Sequence, residues 1–404
     1  MSSRDVPILF STRILRLFAY GFLSIILTFF LIRVGLDERG IGVLFSLTLA
    51  GDAGISLWLT TSADRLGRRK MLILGAGLMV LAGVVFLFTR DPFVLTLAAI
   101  LGVISPSGNE IGPFLSIEQA ALAGLVPDQQ RTRMLAWYNL SGSFATASGA
   151  LMGGWLVKTL QTHGWSPLAS YQVILAGYAS VGLLLILLFS ALSPAIEAMI
   201  EKAPIQRNLG LHRSRRVVAR LSALFAMDAF AGGLIIQSML AYWFHLRFGV
   251  DEAMLGGLFF GANILAGLSA LLAARIAARF GLINTMVYTH IPSSLLLMLI
   301  PLMPVLPLAI ALLLARFTIS QMDVPARQSY TLAVVSPDER SAASGVTNIA
   351  RSVGAALSPS LGGLLISIPG LFSLPFFLCG GIKIAYDLLL YRNFKMLKPP
   401  EEKV

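Results

Sequence analysis

Several things are scarce in this 404-residue chain. Its single cysteine, Cys379, lies in an apolar stretch, so an intrachain disulfide framework and a zinc cluster of cysteines are both excluded. Charged residues make up only 13%, where a soluble protein carries about 25%. A water-exposed fold of this length needs more polar residues to cover its surface, which argues against a soluble enzyme. No phosphate-cradling G-x-x-x-x-G-K-[ST] loop occurs, so the chain carries no sign of its own ATP coupling. His163 and His290 show no metal-ligand spacing, and no soluble stretch exists to organise a hydrolytic triad. No cofactor is expected.

What is abundant is apolar sequence, 56% of the chain, with a mean hydropathy of +0.79. The 31 Lys and Arg against 20 Asp and Glu leave a net charge of +11. That basic excess is spread over short segments between long apolar runs, a membrane pattern rather than a nucleic-acid one. At roughly 20 apolar residues per crossing, the chain yields twelve spans: 14–34, 41–62, 71–89, 93–124, 134–158, 168–190, 218–246, 254–277, 282–303, 307–335, 341–367 and 371–391. The first has a run too long for a signal peptide and no small-residue cleavage site, so it reads as a permanent span. With the N-terminus inside, 22 Lys and Arg, Arg13 and Arg16 among them, fall in or beside cytoplasmic segments, 5 outside and 4 within spans, which predicts both termini on the cytoplasmic face. The location expected is a cell membrane, the inner membrane in a Gram-negative bacterium.

The two halves repeat each other. Gly35-Leu36-Asp37-Glu38 with Ile41-Gly42-Val43-Leu44-Phe45 recurs as Gly249-Val250-Asp251-Glu252 with Leu255-Gly256-Gly257-Leu258-Phe259. Farther on, Arg131, Asn139, Ser143, Gly153 and Gly154 match Arg340, Asn348, Ser352, Gly362 and Gly363. Collinear matches of this kind predict an all-α polytopic membrane protein of twelve transmembrane helices in two six-helix parallel-repeat bundles. The expected domains are 1–193 and 218–404, joined by a cytoplasmic linker, 194–217, that ends in the basic run Arg213-Ser214-Arg215-Arg216.

Asp64-Arg65-Leu66-Gly67-Arg68-Arg69-Lys70, after span two, closely resembles the signature of the major facilitator superfamily, although Thr60 stands where that family usually has glycine. The resemblance implies a conformational latch at Asp64, Arg65, Gly67 and Arg68, with span eleven as the opposing helix; an acid there can face a positive helix N-terminus. Ala145, Gly149, Ala150, Gly153 and Gly154 resemble the span-five antiporter motif of the superfamily, with alanine in place of its first glycine and its proline. Small residues four apart also let helix backbones approach, so packing explains this pattern equally well.

Ionisable residues inside spans cost roughly 2.5–3.5 kcal/mol each to insert and usually face a partner or a cavity. Span four carries Ser105-Pro106-Ser107-Gly108-Asn109-Glu110-Ile111-Gly112-Pro113, where two prolines and two glycines weaken the helix and Asn109 and Glu110 sit near mid-span. Span ten carries Gln321, Asp323 and Arg327 around its midpoint, the last two one helical turn apart, with Arg316 seven residues before Asp323. By resemblance, spans one, four, seven and ten line a central cavity, which places Glu110 and Asp323 there. Glu118 and Asp228 are further candidates. Asp52 is central in span two and could pair structurally, whereas Arg351, Lys383 and Asp387 read as packing or interface charges.

The expectation is a secondary active transporter working by alternating access, with a small-molecule substrate, protons as coupling ion, the bilayer as its medium and no nucleic acid. Export of small amphipathic compounds in exchange for protons comes first. Proton-linked uptake, or facilitated passage, of a small organic acid comes second, kept open by the arginines of span ten. A transporter-like membrane sensor and a channel are the remaining readings. The short linker and tail speak against the sensor, and paired halves with mid-span acids suit alternating access better than a channel.

Overall fold

A computed structural model describes residues 4–110, 112–197, 212–336 and 339–397. Its elements are α-helices and short 3-10 turns, and the described residues contain no strand. Span one consists of α1 (Asp5–Ser24) and α2 (Leu27–Arg33), span two of α3 (Glu38–Leu66) and span three of α4 (Arg68–Phe88). Span four divides into α5 (Pro92–Leu101) and α6 (Phe114–Leu125); α7 (Asp128–Thr162) and α8 (Pro167–Ser190) follow. In the second half come α9 (Arg215–Gly233), α10 (Gln237–Phe248), α11 (Glu252–Phe280) and α12 (Leu282–Leu299). The chain ends with α13 (Leu306–Phe317), α14 (Asp323–Ala333), α15 (Arg340–Ile366) and α16 (Leu374–Phe394).

Among the described residues, nine helical runs are long and apolar enough to cross a membrane, and α5, α6 and α13 are shorter apolar helices. The outward residues fit lipid: Phe88 is 81% exposed, Leu187 67% and Leu357 62%. The interruptions fall in spans one, four, seven and ten. In span four the cause is local, because Gly108 and Gly112 adopt φ of +69° and +81°, which a helix cannot accommodate. Asp52 on α3 then fixes the broken segment, its Oδ1 accepting from the Gly112 N–H at 2.7 Å. Span ten is likewise broken at residues 318–322, so Arg316 and Asp323 do not share one continuous helical face as the seven-residue spacing had suggested.

The helices form two compact units, 1–201 with 236–264, and 202–235 with 265–404. The division therefore does not follow the expected linker alone, of which residues 198–211 lie outside the described residues. It also cuts span seven at its break, because α10 and the start of α11 pack into the first unit. There Ser238 Oγ donates to the Ser24 carbonyl at 2.7 Å and Tyr242 Oη to Glu38 Oε1 at 2.8 Å. A Cβ on Gly154 would lie 2.1 Å from the Glu252 carbonyl oxygen, so α7 and α11 touch backbone to backbone.

Inside the first unit α1 packs along α7, and inside the second α9 packs along α15. Glycines set both approaches. A Cβ on Gly149 would sit 2.0 Å from the Phe18 carbonyl oxygen, and one on Gly354 2.2 Å from that of Ala226. Small residues of spans five and eleven, helices that the internal repeat pairs, are thus used in the same way.

Candidate functional site

Each unit holds a buried cluster of charges. In the first, α1 supplies Arg13 and Arg16, one turn apart on the same face. Arg13 Nη1 donates to Glu110 Oε2 at 2.6 Å, and Arg16 Nε donates to Glu110 Oε1 at 2.8 Å. Arg16 also meets Glu118 of α6, Nη2 to Oε2 at 2.6 Å and Nη1 to Oε1 at 3.0 Å. Thr12 Oγ1 donates to Glu118 Oε1 at 2.8 Å, and Tyr138 Oη donates to the other carboxylate oxygen. Arg13 Nε is held by the Tyr138 carbonyl at 2.8 Å, and its Nη2 by Asn139 Oδ1 at 3.3 Å. Two guanidinium groups and two carboxylates satisfy one another, and the cluster carries no net charge.

The sequence reading placed Glu110 and Glu118 in this polar centre but counted Arg13 and Arg16 among cytoplasmic charges. Because α1 begins at Asp5, both arginines lie inside the helix and are buried. Their spacing in an otherwise apolar run was the available signal. Asn109, by contrast, is exposed; its carbonyl accepts from Ser105 Oγ at 2.8 Å, which shapes the broken segment.

In the second unit the hub is Asp228 on α9. Its Oδ1 accepts from Lys383 Nζ of α16 at 2.6 Å, and its Oδ2 accepts from Arg327 Nη1 of α14 at 3.1 Å and Arg351 Nη1 of α15 at 3.0 Å. Arg327 also donates to Asp323 Oδ2 at 2.8 Å, as the one-turn spacing predicts. One aspartate thus ties four helices together. His290 of α12 stands beside it, Nε2 at 3.3 Å from Lys383 Nζ and Nδ1 at 3.1 Å from Asp387 Oδ1. The sequence reading had Asp228, Asp323 and Arg327 but treated Arg351, Lys383 and Asp387 as packing charges. Among the described residues no group of His, Cys, Asp and Glu is arranged to hold a metal ion.

Arg316 on α13 differs from the buried cations Arg327, Arg351 and Lys383. Among the described residues no carboxylate lies within ion-pair distance of it, and its buried Nε has no hydrogen-bond partner. The Ser320 Oγ, one turn further on, is also buried without a partner. Asp228, Asp323 and Asp387 balance Arg327, Arg351 and Lys383 in number, which leaves Arg316 as a surplus positive charge. Gln321 is half-buried on the turn between α13 and α14.

Of the latch residues, the side chains of Asp64 and Arg65 lie outside the described residues. Gly67 turns the chain between α3 and α4 with φ +104°, and the Arg68 N–H donates to Glu197 Oε2 at 2.6 Å. Arg68 Nη1 reaches the Ile196 carbonyl at 3.2 Å. Within this unit, then, the loop grips the segment after α8, whose Glu197 carboxylate sits at the positive N-terminus of α4.

The sequence profile of the Major Facilitator Superfamily matches residues 9–358, and matches again at 221–404. The chain belongs to this superfamily. It is therefore a multi-pass membrane transporter of a small molecule and not an enzyme, with the all-α superfamily fold. An uncharacterized membrane protein of Saccharomyces cerevisiae, YJR124C, is 32% identical over 421 residues, covering 96% of this chain and 94% of that one. A gallate transporter of Pseudomonas putida is 27% identical over 143 residues, 35% of this chain and 29% of that protein. The superfamily fold is seen again in a crystal structure of the nucleoside transporter NupG, with a TM-score of 0.75 at 14% identity, covering 96% of this chain and 99% of that one.

Proposed function

We propose that the chain is a secondary active transporter that carries a small organic acid across the cell membrane by alternating access, linked to protons. The observation that carries this reading is Arg316, a cation inside an apolar span with a buried Nε that nothing satisfies. A guanidinium in that position costs several kcal/mol unless an anion pairs with it. Its planar fork matches a carboxylate in two parallel hydrogen bonds, and Ser320 Oγ adds one more donor nearby. A relative whose name is gallate transporter, an aromatic carboxylate carrier by that name, supports the same substrate class.

Export of amphipathic compounds in exchange for protons was the first expectation from the sequence. It draws on a free acid at Glu110, able to take a proton or a cationic solute, and on the span-five glycines. Glu110 is held by Arg13 and Arg16 together, and Gly149 and Gly153 sit against the backbone of α1. Neither observation supports export in particular, so the organic-acid reading stands first. The excess of Lys and Arg in one set of connecting segments supports cytoplasmic termini.

The test is purified protein in liposomes with an imposed pH gradient and labelled gallate, xylose, uridine and ethidium as solutes. The proposal expects gallate movement that follows the gradient, with little flux of the two neutral solutes or the cation. Ethidium flux without gallate flux restores the export reading. No flux of any anion in folded protein, with a ligand-dependent change of shape instead, points to a sensor.

A further inference from the structure

We infer that His290 and Asp387 together form the site at which the coupling proton binds, an inference that rests on the proton-linked transport just proposed. The contacts define one arrangement of donors and acceptors. Lys383 Nζ can only donate, so its 3.3 Å approach to His290 Nε2 makes that nitrogen an acceptor. The ring proton is then on Nδ1, where it is donated to Asp387 Oδ1 at 3.1 Å. In this arrangement the ring offers Nε2 as an acceptor and Nδ1 as a donor, and its side chain is only 6% exposed.

The same geometry provides for the other state. Asp228 Oδ1 lies 3.7 Å from His290 Nε2 and now accepts from Lys383 at 2.6 Å. A proton arriving on Nε2 turns that nitrogen from acceptor into donor. Lys383 keeps its own three protons and must move away, and the imidazolium takes its place on Asp228. On the other side of the ring, Asp387 Oδ2 is buried with no hydrogen-bond partner. A ring protonated on both nitrogens would stand between two carboxylates, Asp228 and Asp387.

The other titratable and charged groups of this cluster are Tyr386, in a T-shaped contact with ring centroids 5.9 Å apart, Cys379 of α16, Asp323 and Arg327 of α14, Arg351 of α15, and Arg316 of α13, which interacts with Asp323 and Cys379. Arg327 and Arg351 grip Asp228 Oδ2, so an exchange of partners at Oδ1 is felt on α14, α15 and α16 at once. The added proton raises the charge of the cluster by one, which an anion beside Arg316 offsets. Proton and anion therefore favour each other's binding through charge alone.

The test is proton NMR of the full chain in detergent micelles, with histidine labelled with carbon-13 at Cε1, from pH 5 to 9. The chain has four histidines, His163, His212, His245 and His290. The expected result is a titrating resonance that is absent in H290Q and whose midpoint falls by about one pH unit in D387N. If H290Q does not fold, replacing the other three histidines by glutamine assigns the resonance instead. A His290 signal that keeps one protonation state throughout, or an unchanged midpoint in D387N, overturns the inference. Adding gallate separates the two proposals. A midpoint raised by gallate supports both, whereas a titrating His290 indifferent to gallate supports the proton site and counts against the carboxylate solute.

Discussion

Arg16 and Glu118 meet fork to fork, at 2.6 and 3.0 Å, with neither side chain in contact with solvent. Their neighbours close the arrangement: Thr12 and Tyr138 donate to the same carboxylate, and the second face of Arg16 is taken by Glu110. Removing one member leaves a buried charge bare, whereas removing a matched pair does not. R16M is therefore expected to cost about 3–5 kcal/mol, read as a large drop in the thermal unfolding temperature in detergent. The double variant R16M/E118L recovers much of that loss. Equal destabilisation by the single and double variants would show that the pair is not the stabilising unit.

Backbone contact between α1 and α7 gives a second expectation. The Cβ of G149A would meet the Phe18 carbonyl oxygen at 2.0 Å, far inside van der Waals contact, and a main-chain atom cannot rotate away. G149A should lose most of its folded, monodisperse peak in detergent size-exclusion. Gly124 has nothing within 4 Å of the same added carbon, so G124A should elute as wild type does and gain up to about 1 kcal/mol from helix propensity. Identical profiles for the two variants would contradict the close approach.

A pH dependence comes from Glu339, which caps the start of α9 from the segment before α15. Ser214, by its side chain, and the backbone N–H groups of His212, Arg213 and Ser214 hold its carboxylate ionised and bring its pKa from 4.5 down to about 2. Because the folded value lies below the unfolded one, the stability it contributes is present above about pH 4.5 and disappears as pH falls through about 2. The difference in unfolding temperature between wild type and E339Q should therefore be full at pH 6 and shrink steadily below pH 4.5. A difference that stays constant to pH 2.5 would contradict this assignment.

Much of this was readable from the sequence where the physics is local. Apolar run length gave the spans, and the paired prolines and glycines around Glu110 gave the break in span four. The one-turn spacing of Asp323 and Arg327 gave their ion pair, found at 2.8 Å. The partners of Asp228 come from α14, α15 and α16, 99 to 155 residues away, and no periodicity links positions so far apart. Even so, Lys383 and Asp387 have the same one-turn spacing as Asp323 and Arg327 and sit in a more apolar helix, so a local signal was present there too. Arg13 and Arg16 count with the cytoplasmic charges in the sequence because a positive charge near a span end reads as a loop residue until the helix start is known.

Recognition of the solute rests on Arg316 receiving its carboxylate. The direct measurement is gradient-driven gallate uptake into liposomes carrying wild type, R316K or R316Q, each checked for folding by size-exclusion. Loss of the fork but not the charge should leave R316K with partial uptake, and R316Q should fall at least about tenfold, the equivalent of one charge-assisted hydrogen bond. Uptake by R316Q equal to that of wild type would contradict the claim.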